Sequence, residues 1–222
     1  MSKQLPTIKE VIRVLSTYNG RDKVIRCLYF SLIIMSTKVA SPEIAKQLFA
    51  LAKELSKSRL IFRQLNIPSL FHSASKVPED MEHTKDPIDS TLAGAVTYIF
   101  SVQNVIELLA YLSDHKLVNV DTGKWFRWAL YLWVFAMFNG LIRLAWKLHQ
   151  TNKRRERNEI SEKTYEDITK NDRIAILGLG SDFIAGVGTL PINFLWAGKL
   201  SKGQHAAFSL IASVVGLYKC FQ

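Results

Sequence analysis

Few side chains of this chain are spaced for covalent chemistry. Gln103 and Glu107 stand one helical turn apart inside an otherwise apolar segment, and Asp182 and Asn193 interrupt another. Polar groups at such depth line a pathway, carry protons, or hydrogen-bond one helix to its neighbour. The hydrogen-bonding role is the one expected here, with a pore-forming channel for small metabolites as the alternative. The five histidines (His72, His83, His115, His149, His205) show no metal-ligand spacing, and Cys27 and Cys220 lie at opposite ends of the chain with no C-x-x-C pair. Neither a zinc site nor a disulfide framework is expected, which suits a reducing compartment. Gly178-Leu179-Gly180 begins like a dinucleotide-binding loop, but Phe183 stands where the third glycine belongs and no βαβ pattern surrounds it. P-loop, H-E-x-x-H and G-x-S-x-G patterns do not occur. The chain is expected to be no enzyme and to need no cofactor.

The spacing does support the physical chemistry of a lipid surface. At about 100° per residue, Ile44, Leu48, Leu51, Leu55 and Phe62 fall within about 60° of one another on a helix. Lys46, Lys53 and Lys57 gather with Gln64 on the opposite side. Phe49 and Leu60 sit near the lysines, and Arg59 intrudes among the apolar residues. Such a face either buries in a helical bundle or lies at the boundary of headgroups and hydrocarbon. A second basic group, Lys153-Arg154-Arg155-Glu156-Arg157, adjoins an apolar segment. In that position attraction to anionic phospholipid headgroups, or an insertion-receptor address, is preferred over a nucleic-acid contact. No basic stretch is interleaved with aromatics, so no nucleic acid is expected as a partner.

The elements that position these residues read as helices throughout. Ile8, Val11, Ile12 and Leu15 follow helical spacing, and Tyr18-Asn19-Gly20 reads as a turn. Arg21-Asp22-Lys23 opens a second helix bearing Val24, Ile25, Leu28, Leu32 and Met35. Ser41-Pro42-Glu43 starts the lysine-faced helix, with a capping serine, proline at the first position and an acid in the first turn. Residues 1–64 hold twelve Lys and Arg against four acids, a net of +8 of the chain's +10. Residues 72–91, with Pro78, Pro87 and the acids Glu79, Asp80, Glu82, Asp86 and Asp89, read as a polar linker.

Four apolar segments follow, near 90–112, 128–148, 174–198 and 205–221. Their charge-free cores run about 15–17 residues, short of the roughly 20 of an isolated spanning helix, so a soluble bundle competes. Three features favour lipid. Trp125, Trp128, Tyr131, Trp133 and Trp146 gather toward the ends of one segment, as interfacial aromatics do. Arg143 and Lys147 stand where long side chains reach the surface. Gly178, Gly180, Gly186 and Gly188 allow close helix packing in a bilayer. The start of the chain lacks the apolar core of a signal peptide, so insertion is expected to use internal segments.

The expected fold is all-α: a basic amphipathic helical arm over 1–71, a polar linker over 72–91, and a bundle of about four short membrane-embedded helices over 92–222. The positive-inside tendency places the arm, a 149–173 loop and the C-terminus on one, cytosolic, side.

Two stretches together resemble one family. Leu190-Pro191-Ile192 and Trp196-Ala197-Gly198-Lys199-Leu200-Ser201-Lys202-Gly203-Gln204, with Gly216-Leu217-Tyr218, are similar to the C-terminal signature of peroxin-11 proteins. Arg21-Asp22-Lys23-Val24-Ile25-Arg26 resembles that family's N-terminal helix, and the helix of Lys46, Lys53 and Lys57 stands where the family carries its membrane-inserting amphipathic helix. Ala197 and Lys202 depart from the small and asparagine residues expected there. The resemblance implies a multi-pass peroxisomal membrane protein that elongates the membrane before fission. It also implies a homo-oligomer that recruits a dynamin-related GTPase and its adaptors.

Overall fold

The computed structural model describes residues 6–84 and 86–222. The described residues form eight helices and no strand: α1 (Ile8–Ser16), α2 (Tyr18–Ser36), α3 (Pro42–Leu65), α4 (Ile67–Glu82), α5 (Pro87–Asp114), α6 (Thr122–Glu156), α7 (Glu162–Gly188) and α8 (Lys202–Cys220). The all-α expectation is met. Two compact units divide the chain, Met1–Arg63 with Leu200–Gln222 and Gln64–Lys199.

In the first unit, Thr7 and Glu10 cap α1 reciprocally, the Glu10 carboxylate accepting from the Thr7 N–H at 2.7 Å. The break to α2 falls at Thr17, whose hydroxyl accepts from the Gly20 N–H at 3.0 Å, rather than at the expected Tyr18-Asn19-Gly20 turn. Gly20 is helical, and its role is close approach: a Cβ there would run into the Val14 carbonyl oxygen.

α2 packs on α8, and Phe30 and Ile33 of α2 form a core with Ala52 of α3 and Ala206 of α8. Burying Phe30 contributes about 1.5–3 kcal/mol. The buried positions of α2 are Gly20, Arg26, Phe30 and Ile33, whereas Leu28 and Met35 of the expected stripe are exposed. Residues 27–35 are apolar almost all round, so the partner helix decides which side is covered. Arg59 of α3 reaches back to Asp22 of α2 at 2.8 Å, which explains a charge on the edge of an apolar face.

In the second unit, α5 packs on α4 and α6, and α7 doubles back along α6. The stretch expected as a linker from 72 is helical to Glu82, despite Pro78. Its Ala74 and Val77 are buried, and Gly94 of α5 admits Val77, since a Cβ on Gly94 would come 2.6 Å from Val77 Cγ1. This packing overrides the proline and the acids. Asp86 then caps α5 through the Ile88 and Asp89 N–H groups, each at 3.1 Å. The Asp89 amide first of all, with the Trp146 indole N–H, holds the Asp86 carboxyl below its usual range.

Asp89 accepts two hydrogen bonds from Arg143, at 2.7 and 3.0 Å. Arg143 therefore clamps α6 to α5 instead of reaching for the surface alone. α6 ends at Glu156, and just past its C-cap Asn158 adopts a left-handed φ of 56°, as residues after a helix end often do. Ser161 caps α7 by accepting from the Thr164 N–H at 3.2 Å, so the expected 149–173 loop shrinks to a short turn.

α5, of 28 residues, and α6, of 35, are the two described helices long and apolar enough to cross a membrane. They are longer than the short spans expected. Of the other two apolar segments, one ends its helix at Gly188 and continues as an irregular loop, and the other is α8, packed on α2.

Candidate membrane-interaction site

α3 carries the predicted face on one continuous helix because nothing between Pro42 and Leu65 breaks it. Its core-facing edge is marked by Ala52, fully buried. At about 100° per residue, that edge lies about 70° from the centre of the stripe of Ile44, Leu48, Leu51, Leu55 and Phe62. The stripe is thus split. Leu48 and Leu55 are half-buried on the inner side, while Ile44, Leu51 and Phe62 are exposed, Leu51 by 53%. Leu65 adds to the outer side at 74% exposure.

Lys46, Lys53 and Lys57 are all exposed, with Lys57 2.9 Å from Glu54 one turn earlier. Phe49 lies under Lys202, whose ammonium is 5.9 Å from the ring centroid. Burial raises the Asp22 carboxyl, but the charge and hydrogen bonds of Arg59, helped by Lys23 and Arg26, outweigh it and hold the group below its usual range. The Asp22–Arg59 pair therefore stays ionised at neutral pH and fixes how α3 is rotated on α2.

The second predicted group sits differently from expectation. Lys153, Arg154 and Arg155 form the last turn of α6, and Arg157 is its C-cap. Lys and Arg favour helix, and their charges suit a helix C-terminus. Arg155 bonds Glu162 at 2.8 Å and lies over Tyr165 at 4.4 Å. Arg154 and Arg157 each approach Glu159, at 3.8 and 3.7 Å. This basic end is thus partly neutralised by Glu159 of the following turn and Glu162 at the start of α7.

Gln103 and Glu107 are buried in α5, together with Asn104, which sequence reasoning missed. Its position between them, three residues before Glu107, was the available signal. Asp182 is half-buried and Asn193 is exposed in the loop after α7. On α6, Trp128, Phe135, Phe138 and Ile142 are exposed. They fall within about 80° of one another on one face. A water-soluble protein rarely leaves so much contiguous apolar surface uncovered.

Two described helices long and apolar enough to cross a bilayer, with a third that pairs a lysine face with an uncovered apolar edge, fit the class of membrane proteins. Residues 8–221 match the family of peroxisomal biogenesis factor 11 (PEX11), and the chain belongs to that family. It is similar to peroxisomal membrane protein 11C of Homo sapiens, 20% identical over 234 residues that take in 97% of this chain and 95% of that protein. No solved structure matches it. The chain is accordingly a peroxisomal membrane protein of peroxisome proliferation, from a family of biogenesis factors rather than enzymes.

Proposed function

We propose that this protein elongates and remodels the peroxisomal membrane by laying α3 into one leaflet. The observation that carries this reading is the rotation of α3: its most apolar stripe is turned partly out of the core, leaving Ile44, Leu51 and Phe62 uncovered. α5 and α6 cross the bilayer as a hairpin, with the basic 153–157 end of α6 on the cytosolic side. Such anchoring removes most of the translational cost of bringing α3 to lipid. Lys46, Lys53 and Lys57 then add about 1 kcal/mol each at an anionic surface.

Area added to one leaflet bends it, and copies associating side by side extend the bend into a tube. The elongated membrane is the substrate on which a dynamin-related GTPase and its adaptors assemble. The test is full-length protein reconstituted in anionic vesicles and viewed by electron microscopy. Wild type draws tubes, and Leu51→Glu/Phe62→Glu, altering only exposed side chains, inserts equally well but leaves vesicles round. Tubes of undiminished number from that variant would refute the proposal.

A further inference from the structure

The segment between α7 and α8 takes no part in the mechanism just proposed, and its shape is peculiar. After α7 the chain stays irregular from Thr189 to Leu200, yet it is held firmly. The Trp196 indole N–H donates to the Ile184 carbonyl at 2.8 Å, and the Gly198 N–H donates to the Gly188 carbonyl at 3.0 Å. Trp196 also stands edge-on to Phe183 at 6.2 Å, and Phe183 lies 6.1 Å from Phe138 of α6. Leu190 is buried in the core that Val134, Met137 and Val187 form.

Against this fixed base, three large apolar side chains point outward: Ile192, Phe194 and Leu195, exposed by 47%, 50% and 55%. Leu195 has a φ of 50°, a left-handed conformation that glycine adopts with less strain. A leucine there serves neither the backbone nor the core. Lys199, also exposed, follows in the same loop.

The depth of the loop indicates what covers it. Leu130, Tyr131 and Trp133 of α6 pack against the same core as Trp196 and Ala197. The base of the loop therefore packs along α6 from Leu130 to Met137, the stretch that begins at the aromatic end where Trp128 and Tyr131 meet edge-to-face at 6.0 Å. Tryptophan and tyrosine concentrate where headgroups meet hydrocarbon, and apolar side chains flanked by lysine suit the same boundary.

We infer that residues 191–195 form a rigid wedge that inserts Ile192, Phe194 and Leu195 into the headgroup–hydrocarbon boundary of the bilayer. It is a second lipid contact, separate from α3. The inference rests on α6 crossing the membrane, as proposed above.

The test uses full-length protein carrying Cys27→Ser and Cys220→Ser, reconstituted in phosphatidylcholine/phosphatidylserine vesicles. An environment-sensitive fluorophore is attached at Leu195→Cys and, separately, at Phe135→Cys on the exposed face of α6. At 195 the label is expected to emit to the blue and to be quenched several-fold more by lipids brominated near the glycerol than by aqueous iodide. At 135 it responds best to bromine deep in the acyl chains.

A lipid-buried label at 135 with a water-exposed label at 195 overturns the wedge and leaves the crossing intact. A water-exposed label at 135 overturns both. Protection at 195 that vanishes on dilution into excess lipid assigns the surface to a second copy of the chain and also overturns the wedge.

Discussion

Helices α3 and α6 both carry more apolar side chain than their packing covers, but they present it differently. On α3 the uncovered Ile44, Leu51 and Phe62 share the exposed surface with Lys46, Lys53 and Lys57. On α6 the uncovered Trp128, Phe135, Phe138 and Ile142 have no charge among them, and Arg143 turns aside to Asp89. A helix wet on one side and oily on another is stable at an interface. A helix that is oily on every unpacked side is stable only with hydrocarbon around it. In the function proposed above, the contrast is between a part that lies on the membrane and a part that crosses it.

The largest expected effect comes from exchanging those characters. Phe135→Asp/Phe138→Asp places two carboxylates at the middle of α6, each costing about 2.5–3.5 kcal/mol at that depth. A larger share of this variant than of wild type is expected in the supernatant after alkaline carbonate extraction, whereas Leu51→Glu/Phe62→Glu in α3 remains with the membrane pellet. Loss of retention from the α3 pair, or full retention of the α6 pair, breaks the comparison.

Next in size is the tether that sets the rotation of α3. Asp22 and Arg59 are both 13% exposed, so Asp22→Asn leaves a poorly solvated guanidinium and is expected to lower stability by about 2–4 kcal/mol. The sign with pH follows from the depressed carboxyl. The pair's contribution is complete above the unfolded carboxyl's ordinary value, persists at neutral pH, and is lost as pH falls through the lower folded value. Wild type should therefore lose stability steeply in the acid range below about pH 4. Asp22→Asn should lack that component, as denaturant melts at stepped pH would show.

The lysines come third. Lys46→Ala/Lys53→Ala/Lys57→Ala should weaken tubulation of anionic vesicles by the equivalent of about 1 kcal/mol per lysine. The difference should fade with added salt, because surface charge is screened over about 10 Å at 0.1 M. The apolar contribution of α6 is indifferent to salt, so carbonate retention should not change.

Much of this contrast was legible in the residues themselves. Ser41-Pro42-Glu43 announces the start of α3, and helical spacing alone places its lysines opposite its leucines. The charge-poor run through Trp128 and Phe138 likewise marks α6. What spacing does not contain is the partner. Arg59 reads as an intrusion until Asp22, 37 residues away, is brought beside it. Arg143 likewise reads as a snorkelling end until Asp89, 54 residues away, accepts its hydrogen bonds. The buried side of α2 is hidden for the same reason: with apolar residues all round, only the partner helices decide which of them are covered. The helix through Pro78 was hidden because local proline and acid signals are weaker than the packing of Ala74 and Val77.

The smallest expected effect sharpens the comparison from the side of α3. Glu54 pairs with Lys57 at 2.9 Å, but both side chains are more than half exposed, 66% and 58%. Such a pair contributes only tenths of a kcal/mol to folding, so Glu54→Gln should leave the melting temperature almost unchanged. It does, however, remove the carboxylate that Lys57 pairs with. If α3 meets an anionic surface through those lysines, Glu54→Gln should produce tubes at a slightly lower content of anionic lipid than wild type. The gain should be lost in high salt and absent on neutral vesicles. A variant that lowers stability without improving tubulation would show that the acid serves the fold of α3. The lysine side of this helix would then not be what faces the headgroups.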